Sequence, residues 1–304
     1  MKQVLINLDL APQDRWTAVL EEFKEELTQF AQELPNVLRT QYDVSQTVIR
    51  GFMKLKSIPN VYKQEIQGIS QVTKSFGLTY EDIVLFNIAV EYGARCTAFV
   101  HDEIFYKTLD WDLPEIKKLM VMIDFTRNGV VVYKATSFLM FVGILIGMNN
   151  DFSVTLNYRK IGSSWTSPFR SVKNAAFFTR DLLEEKDYEI VKKKIVSSSI
   201  TPSYVVVSFG QRSFVVAKGG IEYVEEGSNL IQANHDRDVS DVSGSWSGGD
   251  PILASTVDRE NKVRKLLSQG WCAEEVCRVY PICNPDTLVT VVMDVSTFSM
   301  RCIE

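Results

Sequence analysis

The order of hydrophobic patterns along the chain predicts an α+β protein: a four-layer αββα arrangement of two stacked antiparallel sheets between helical layers, with an N-terminal helical segment. Three observations carry this expectation. Apolar residues recur at helical spacing before Cys96, short β-branched and aromatic runs follow it, and a second succession of helices and then strands closes the chain. A plain α+β pair of domains gives the same order. The expected division is a helical segment over 1–95 and an αββα domain over 96–304.

The first 95 residues read as helical almost throughout. Trp16, Val19, Leu20, Phe23, Leu27, Phe30 and Leu34 form the stripe of one amphipathic helix. Further helices are expected over 42–55 and 61–75. A fourth carries its own boundary signals, with Thr79 and Asp82 spaced as a capping box and Gly93 placed as a C-terminal glycine. Beyond Cys96 come CTAFVHD, IFYKTLDW, KLMVMIDFT, GVVVYKATS, FVGILIG and FSVTLNY, with Asn128-Gly129 marking a hairpin between two of them. The apolar run 138–148 is too short to span a bilayer as a helix and suits a buried strand pair. Helices over 172–185 and 188–196 precede the strand-like YVVVSFG, SFVVAKG, IEYVEE and NLIQAN. The stretch 236–250, rich in Ser, Gly and Asp, reads as a long loop around Trp246, of the length that serves as a lid. A helix over 256–268 and the strands TLVTVVMDV and TFSMRCIE complete the chain.

A chain of 304 residues with 45% hydrophobic residues can bury a sizeable core. Its net charge of −5 and scattered cations give no basic field for nucleic acid. Five cysteines, an odd number, no Asn-x-Ser/Thr acceptor and no long apolar leader favour a reducing, cytoplasmic setting; lysosomal or secreted delivery would require a leader removed from this sequence. Cys272, Cys277 and Cys283 cluster without a paired-cysteine knuckle or nearby histidine, so no metal and no cofactor is expected.

Cys96 is the residue whose position raises a chemical question, because histidine, the usual base for a thiol, is scarce. His101 lies five residues along the same strand, on the opposite face of a regular pleat, and His235 must approach through the fold. A thiol at a free N-terminus needs no histidine, since its own α-amine, with an ordinary pKa near 8, serves as base. Removal of 1–95 at the Arg95/Cys96 bond would create that terminus. On spacing alone, a buried structural cysteine is the commoner case.

Several stretches match one family in order along the chain. INLDLAPQDRW at 6–16, RCTAFV at 95–100, KTLDWD at 107–112, KATSFLMFVGILIGMNNDFSVTLNYR at 134–159, QANHDR at 232–237 and VDRENKVRKLL at 257–267 carry the likeness. The sequence resembles the acid ceramidase and N-acylethanolamine-hydrolysing acid amidase family, cysteine N-terminal-nucleophile hydrolases related to the choloylglycine hydrolases. The resemblance implies the αββα fold of those hydrolases and a family of roles. Cys96 would be nucleophile, Asp110 would orient its ammonium group, Asn234 would aim a side-chain N–H at the oxyanion, and Arg259 would stand by as a fixed charge. It also implies an N-terminal fragment that stays with the remainder after cleavage, an acidic working pH, and a lipid N-acyl amide as substrate, met at a membrane or micelle surface.

Two departures stand out. Lys107 replaces the family's arginine, and a compact ammonium is not interchangeable with a fork of donors. Tyr158 replaces the glutamate of Leu-Asn-Glu-Arg, so it and the Trp246 loop are expected at the substrate rather than at a carboxylate function. The alternatives are a bile-salt or penicillin-type acylase on the same fold, or a lipid-binding protein that has lost catalysis.

Overall fold

The computed structural model describes residues 1–42, 58–90, 94–160, 173–236 and 251–303. Most of the helix expected over 42–55, Gly93, and the loop that carries Trp246 lie outside the described residues.

Two sheets face each other. The larger has eight strands in the order β1 (Lys2–Asn7), β4 (Met120–Arg127), β5 (Val130–Phe138), β6 (Ile146–Asn149), β7 (Ser153–Tyr158), β8 (Ser203–Ser208), β9 (Ser213–Lys218) and β10 (Tyr223–Gly227). The smaller has five: β11 (Ile231–Gln232), β2 (Arg95–His101), β3 (Ile104–Asp110), β12 (Thr287–Asp294) and β13 (Ser299–Ile303). Helices α1 (Thr17–Glu22), α2 (Lys24–Tyr42), α3 (Asn60–Thr73), α4 (Tyr80–Ala89), α5 (Ala175–Leu182) and α6 (Tyr188–Ser197) belong with the larger sheet; α5 lies against β7 and α6 against β9. The smaller sheet is covered by α7 (Pro251–Ser268) and α8 (Ala273–Val276), while β2 packs on β7 across the middle. The result is the α+β, four-layer αββα architecture.

The local signals act as their chemistry dictates. Thr79 and Asp82 form a complete capping box at the start of α4, satisfying N–H groups that a helix cannot pair internally. Asn128 and Gly129 both have positive φ and close the β4–β5 hairpin in the sense that matches strand twist. The β2–β3 hairpin makes the same kind of turn with Asp102 (φ 48°) and Glu103 (φ 67°), neither of them glycine.

Three expectations are corrected. The first 95 residues are not helical throughout, because β1 pairs in parallel with β4 and its Val4 and Ile6 alternate into the core. Over 138–148 the strand pairing is confined to Ile146–Asn149 and the end of β5; residues 139–145 are buried irregular chain. That stretch survives burial because the Asn87 side chain donates to the Met140 carbonyl and accepts from the Val142 N–H, both at 2.8 Å. Finally, α7 begins at Pro251 rather than near 256, which places Arg259 inside the helix instead of at its solvated start.

Candidate active site

Strand alternation sorts the site residues onto the two faces of the smaller sheet. In the β2–β3 register Cys96 lies opposite Leu109 and Ala98 opposite Lys107, so these four share one face; Arg95 opposite Asp110 and Thr97 opposite Thr108 share the other. The first face joins the core between the sheets. The second meets α7, where Phe99 and Tyr106 stack at 4.8 Å beneath Val263 and Leu266.

On the inter-sheet face the Cys96 thiol and the Lys107 side chain are both buried, near enough for each to act on the other's protonation. Lys107 is itself buried and donates to the Leu156 carbonyl at 2.9 Å and to Asn157 Oδ1, both on β7. Burial pushes the thiol up from its ordinary value and the Lys107 charge offsets part of that; burial pulls Lys107 down, opposed by Cys96 and Asp110. Asn157 Nδ2 donates to the carbonyls of Gln232 (2.7 Å) and Ala233 (3.0 Å), so one amide ties Lys107 to the segment that carries Asn234.

On the helix face Arg259, 1% exposed, donates to Thr97 Oγ1 at 2.8 Å and pairs with Asp110 Oδ2 at 3.3 Å. Asp110 Oδ1 accepts from Thr287 Oγ1 at 2.7 Å, and the Asn284 side chain helps to lower the carboxyl's pKa. Burial pushes the Asp110 carboxyl up, and Arg259 and Thr287 offset it only in part.

Asn234 joins the two faces. Its Oδ1 accepts the Cys96 main-chain N–H at 2.6 Å and an Arg259 N–H at 3.2 Å, while its Nδ2 donates to the Tyr158 carbonyl at 2.7 Å. The roles that the resemblance implies for these residues belong to the cut enzyme; in the uncut chain the same groups are engaged with one another. The Asn234 N–H is engaged by Tyr158 rather than aimed at an oxyanion, and the Cys96 nitrogen is received by Asn234 rather than by Asp110. The physical reason is that Asp110 is drawn to the guanidinium, leaving the neutral amide oxygen nearest the backbone N–H.

The remaining candidates separate. Arg95 leaves the cluster for Asp286 at 3.6 Å. Tyr158 contributes its carbonyl; it also lines a small cavity of about 20 Å³ with Val90, Ala94 and Leu145, and burial raises its phenol. His101 pairs with Asp102 at the far end of β2, and buried His235 lies between Thr256 (3.1 Å) and Glu260 (3.4 Å), beside Asn234 and not on the thiol. Among the described residues no cluster of His, Cys, Asp and Glu is arranged to hold a metal. Sequence reasoning missed Asn157, Thr97, Thr287 and Asn284. Asn157 was within reach, being the retained Asn of the Leu-Asn-Glu-Arg pattern; the two threonines and Asn284 carry no local signal.

Two stacked, largely antiparallel sheets between helical layers give the αββα fold class of the N-terminal-nucleophile hydrolases. The comparisons agree. Residues 2–57 match the family model for the beta subunit of N-acylethanolamine-hydrolyzing acid amidase. The uncharacterized protein R632 of Acanthamoeba polyphaga mimivirus is 26% identical over 96% of both chains, and mouse acid ceramidase is 27% identical over 96% of this chain and 83% of its own length. The solved structure of the Caenorhabditis elegans N-acylethanolamine-hydrolyzing acid amidase ortholog superposes with a TM-score of 0.55 at 22% identity, covering 69% of this chain and all of that one, a likeness of fold. The chain is thus similar over most of its length to acid ceramidase, and its fold is like that of an N-acylethanolamine-hydrolyzing acid amidase.

Proposed function

We propose that this protein is a lipid amide hydrolase, of ceramidase or N-acylethanolamine amidase type, that uses Cys96 as an N-terminal nucleophile after cutting itself at Arg95/Cys96. The observation that carries the reading is the setting of the Cys96 nitrogen. Asn234 Oδ1 already holds it, Arg259 braces that oxygen, and Asp110 braces Arg259. Cleavage would convert the held amide into an α-amine without moving its partners.

In the cut enzyme the α-amine takes the thiol proton and the sulfur attacks the amide carbonyl of the substrate. Collapse of the adduct forms a thioester and releases the amine, which receives that proton. Water, activated by the same α-amine, then frees the fatty acid. The cations Lys107 and Arg259 flank the sulfur from opposite faces and favour its anionic form.

The test is the intact mass of purified protein held at acid and neutral pH beside Cys96→Ala, followed by turnover of ceramides and N-acylethanolamines. Wild type should yield fragments meeting at Arg95/Cys96 and then hydrolyse an N-acyl amide, and Cys96→Ala should do neither. A wild-type chain that stays whole at every pH would sink the reading.

A further inference from the structure

The α-amine cannot assist the first cut, because until Arg95/Cys96 breaks it is an amide. Some other group must take the thiol proton in the uncut chain, and the hydrogen-bond inventory around Lys107 identifies it. A neutral lysine amine has two N–H donors and one lone pair. Lys107 donates to two acceptors, the Leu156 carbonyl and Asn157 Oδ1, and the Cys96 thiol lies beside it on the same face of the β2–β3 hairpin. The same arrangement suits an ammonium beside a thiolate, so one proton can pass between nitrogen and sulfur without rearranging anything.

We propose that Lys107 is the general base for self-cleavage, taking the Cys96 thiol proton in the uncut chain, a role that an arginine at this position could not fill. This rests on the N-terminal-nucleophile reading. The step balances as follows. The S–H proton moves to Nζ, the thiolate bonds to the Arg95 carbonyl carbon, and the Arg95–Cys96 C–N bond breaks as the departing nitrogen regains the proton. Water then hydrolyses the thioester, leaving an Arg95 carboxylate and the free Cys96 thiol and amine.

Burial supports the role, since it pulls Lys107 below its ordinary value and makes the neutral amine accessible. Asp110 on the same strand pushes the other way, and Arg259 of α7 pushes with burial. From β7 the contacts are the neutral Leu156 carbonyl and Asn157 amide.

The experiment follows cleavage by intact mass as a function of pH in wild type, Lys107→Arg and Lys107→Met. A shared proton makes the one-proton state of the pair the reactive one, so the wild-type rate should rise and then fall with pH. Both variants should cut about a hundredfold or more slowly. If Lys107→Arg cuts at the wild-type rate, a fixed charge suffices and the proposal is overturned while the hydrolase reading stands. Near-ultraviolet circular dichroism checks that each variant folds. If Lys107→Arg does not fold, the wild-type profile decides: a rate that climbs with pH to a plateau, without an alkaline fall, overturns the proposal. A wild-type chain that never cuts removes this proposal and the hydrolase reading together.

Discussion

Arg259 ties three residues of the site together, since it bonds to Thr97, Asp110 and Asn234 while 1% exposed. Arg259→Met leaves the Asp110 carboxylate buried without its cation, and breaking a buried pair on one side costs about 3–5 kcal/mol. Denaturant unfolding of the uncut Cys96→Ala background should show that loss. Adding Asp110→Asn should restore part of it, because the charge left stranded is then gone. These residues were singled out by type at motif positions. Their actual bonds were not legible, because what Asn234 does with its two ends depends on β7 and α7, elements that meet it through the fold and not along the chain.

At the scale of elements, the β2–β3 hairpin carries Cys96, Lys107 and Asp110 and turns through two non-glycine residues at positive φ. Glu103→Gly removes a left-handed side chain that costs roughly 1 kcal/mol, so it should raise the melting temperature without altering the site. Helix α3 shows the reverse constraint. A methyl group on Gly68 would stand 1.8 Å from the Gln13 carbonyl, so Gly68→Ala should destabilise by about 1–3 kcal/mol, read by the denaturation midpoint. Most strands after Cys96 were legible from their β-branched runs, and the Asn128-Gly129 turn from two residues alone. Strand β1 was not. It turns just two residues, Val4 and Ile6, fully into the core, and its partner β4 lies more than a hundred residues away, so no local pattern announces the pairing. Residues 139–145 were misread because their backbone is satisfied piecemeal, by the Asn87 and Arg180 side chains and by scattered main-chain groups such as Leu119 and Ala176, instead of by a ladder.

Across the whole molecule, the parts on either side of Arg95/Cys96 share one interior. β1 pairs with β4, and buried Glu65 receives Arg180 at 2.7 Å from beyond the junction, with Trp16 (2.9 Å) and Arg15 (2.8 Å) from its own side. Fragments produced by cleavage should therefore elute together on size exclusion and separate in denaturant. Burial pushes the Glu65 carboxyl up, but Arg180, Trp16 and Arg15 together hold it below the ordinary range. A carboxyl depressed in the folded state contributes stability that is present above its unfolded value, about 4.3, and lost as pH falls through the folded one. The wild-type stability curve should thus drop on acidification below that point. Glu65→Gln strands Arg180, should cost about 3–5 kcal/mol at neutral pH, and should flatten the acid limb.

The Arg95–Asp286 contact, part-exposed at 3.6 Å, gains meaning once the bond beside it is cut. Under the proposed cut, Arg95 would become the tail of the first fragment, and its new carboxylate would be the first product the site must discharge. An exposed pair of this kind is worth at most about 1 kcal/mol, so the tail is tethered loosely enough to swing aside. Under the proposed self-cleavage, maturation would be two events, scission and departure, and amide turnover would lag behind the appearance of fragments by the time the tail takes to clear.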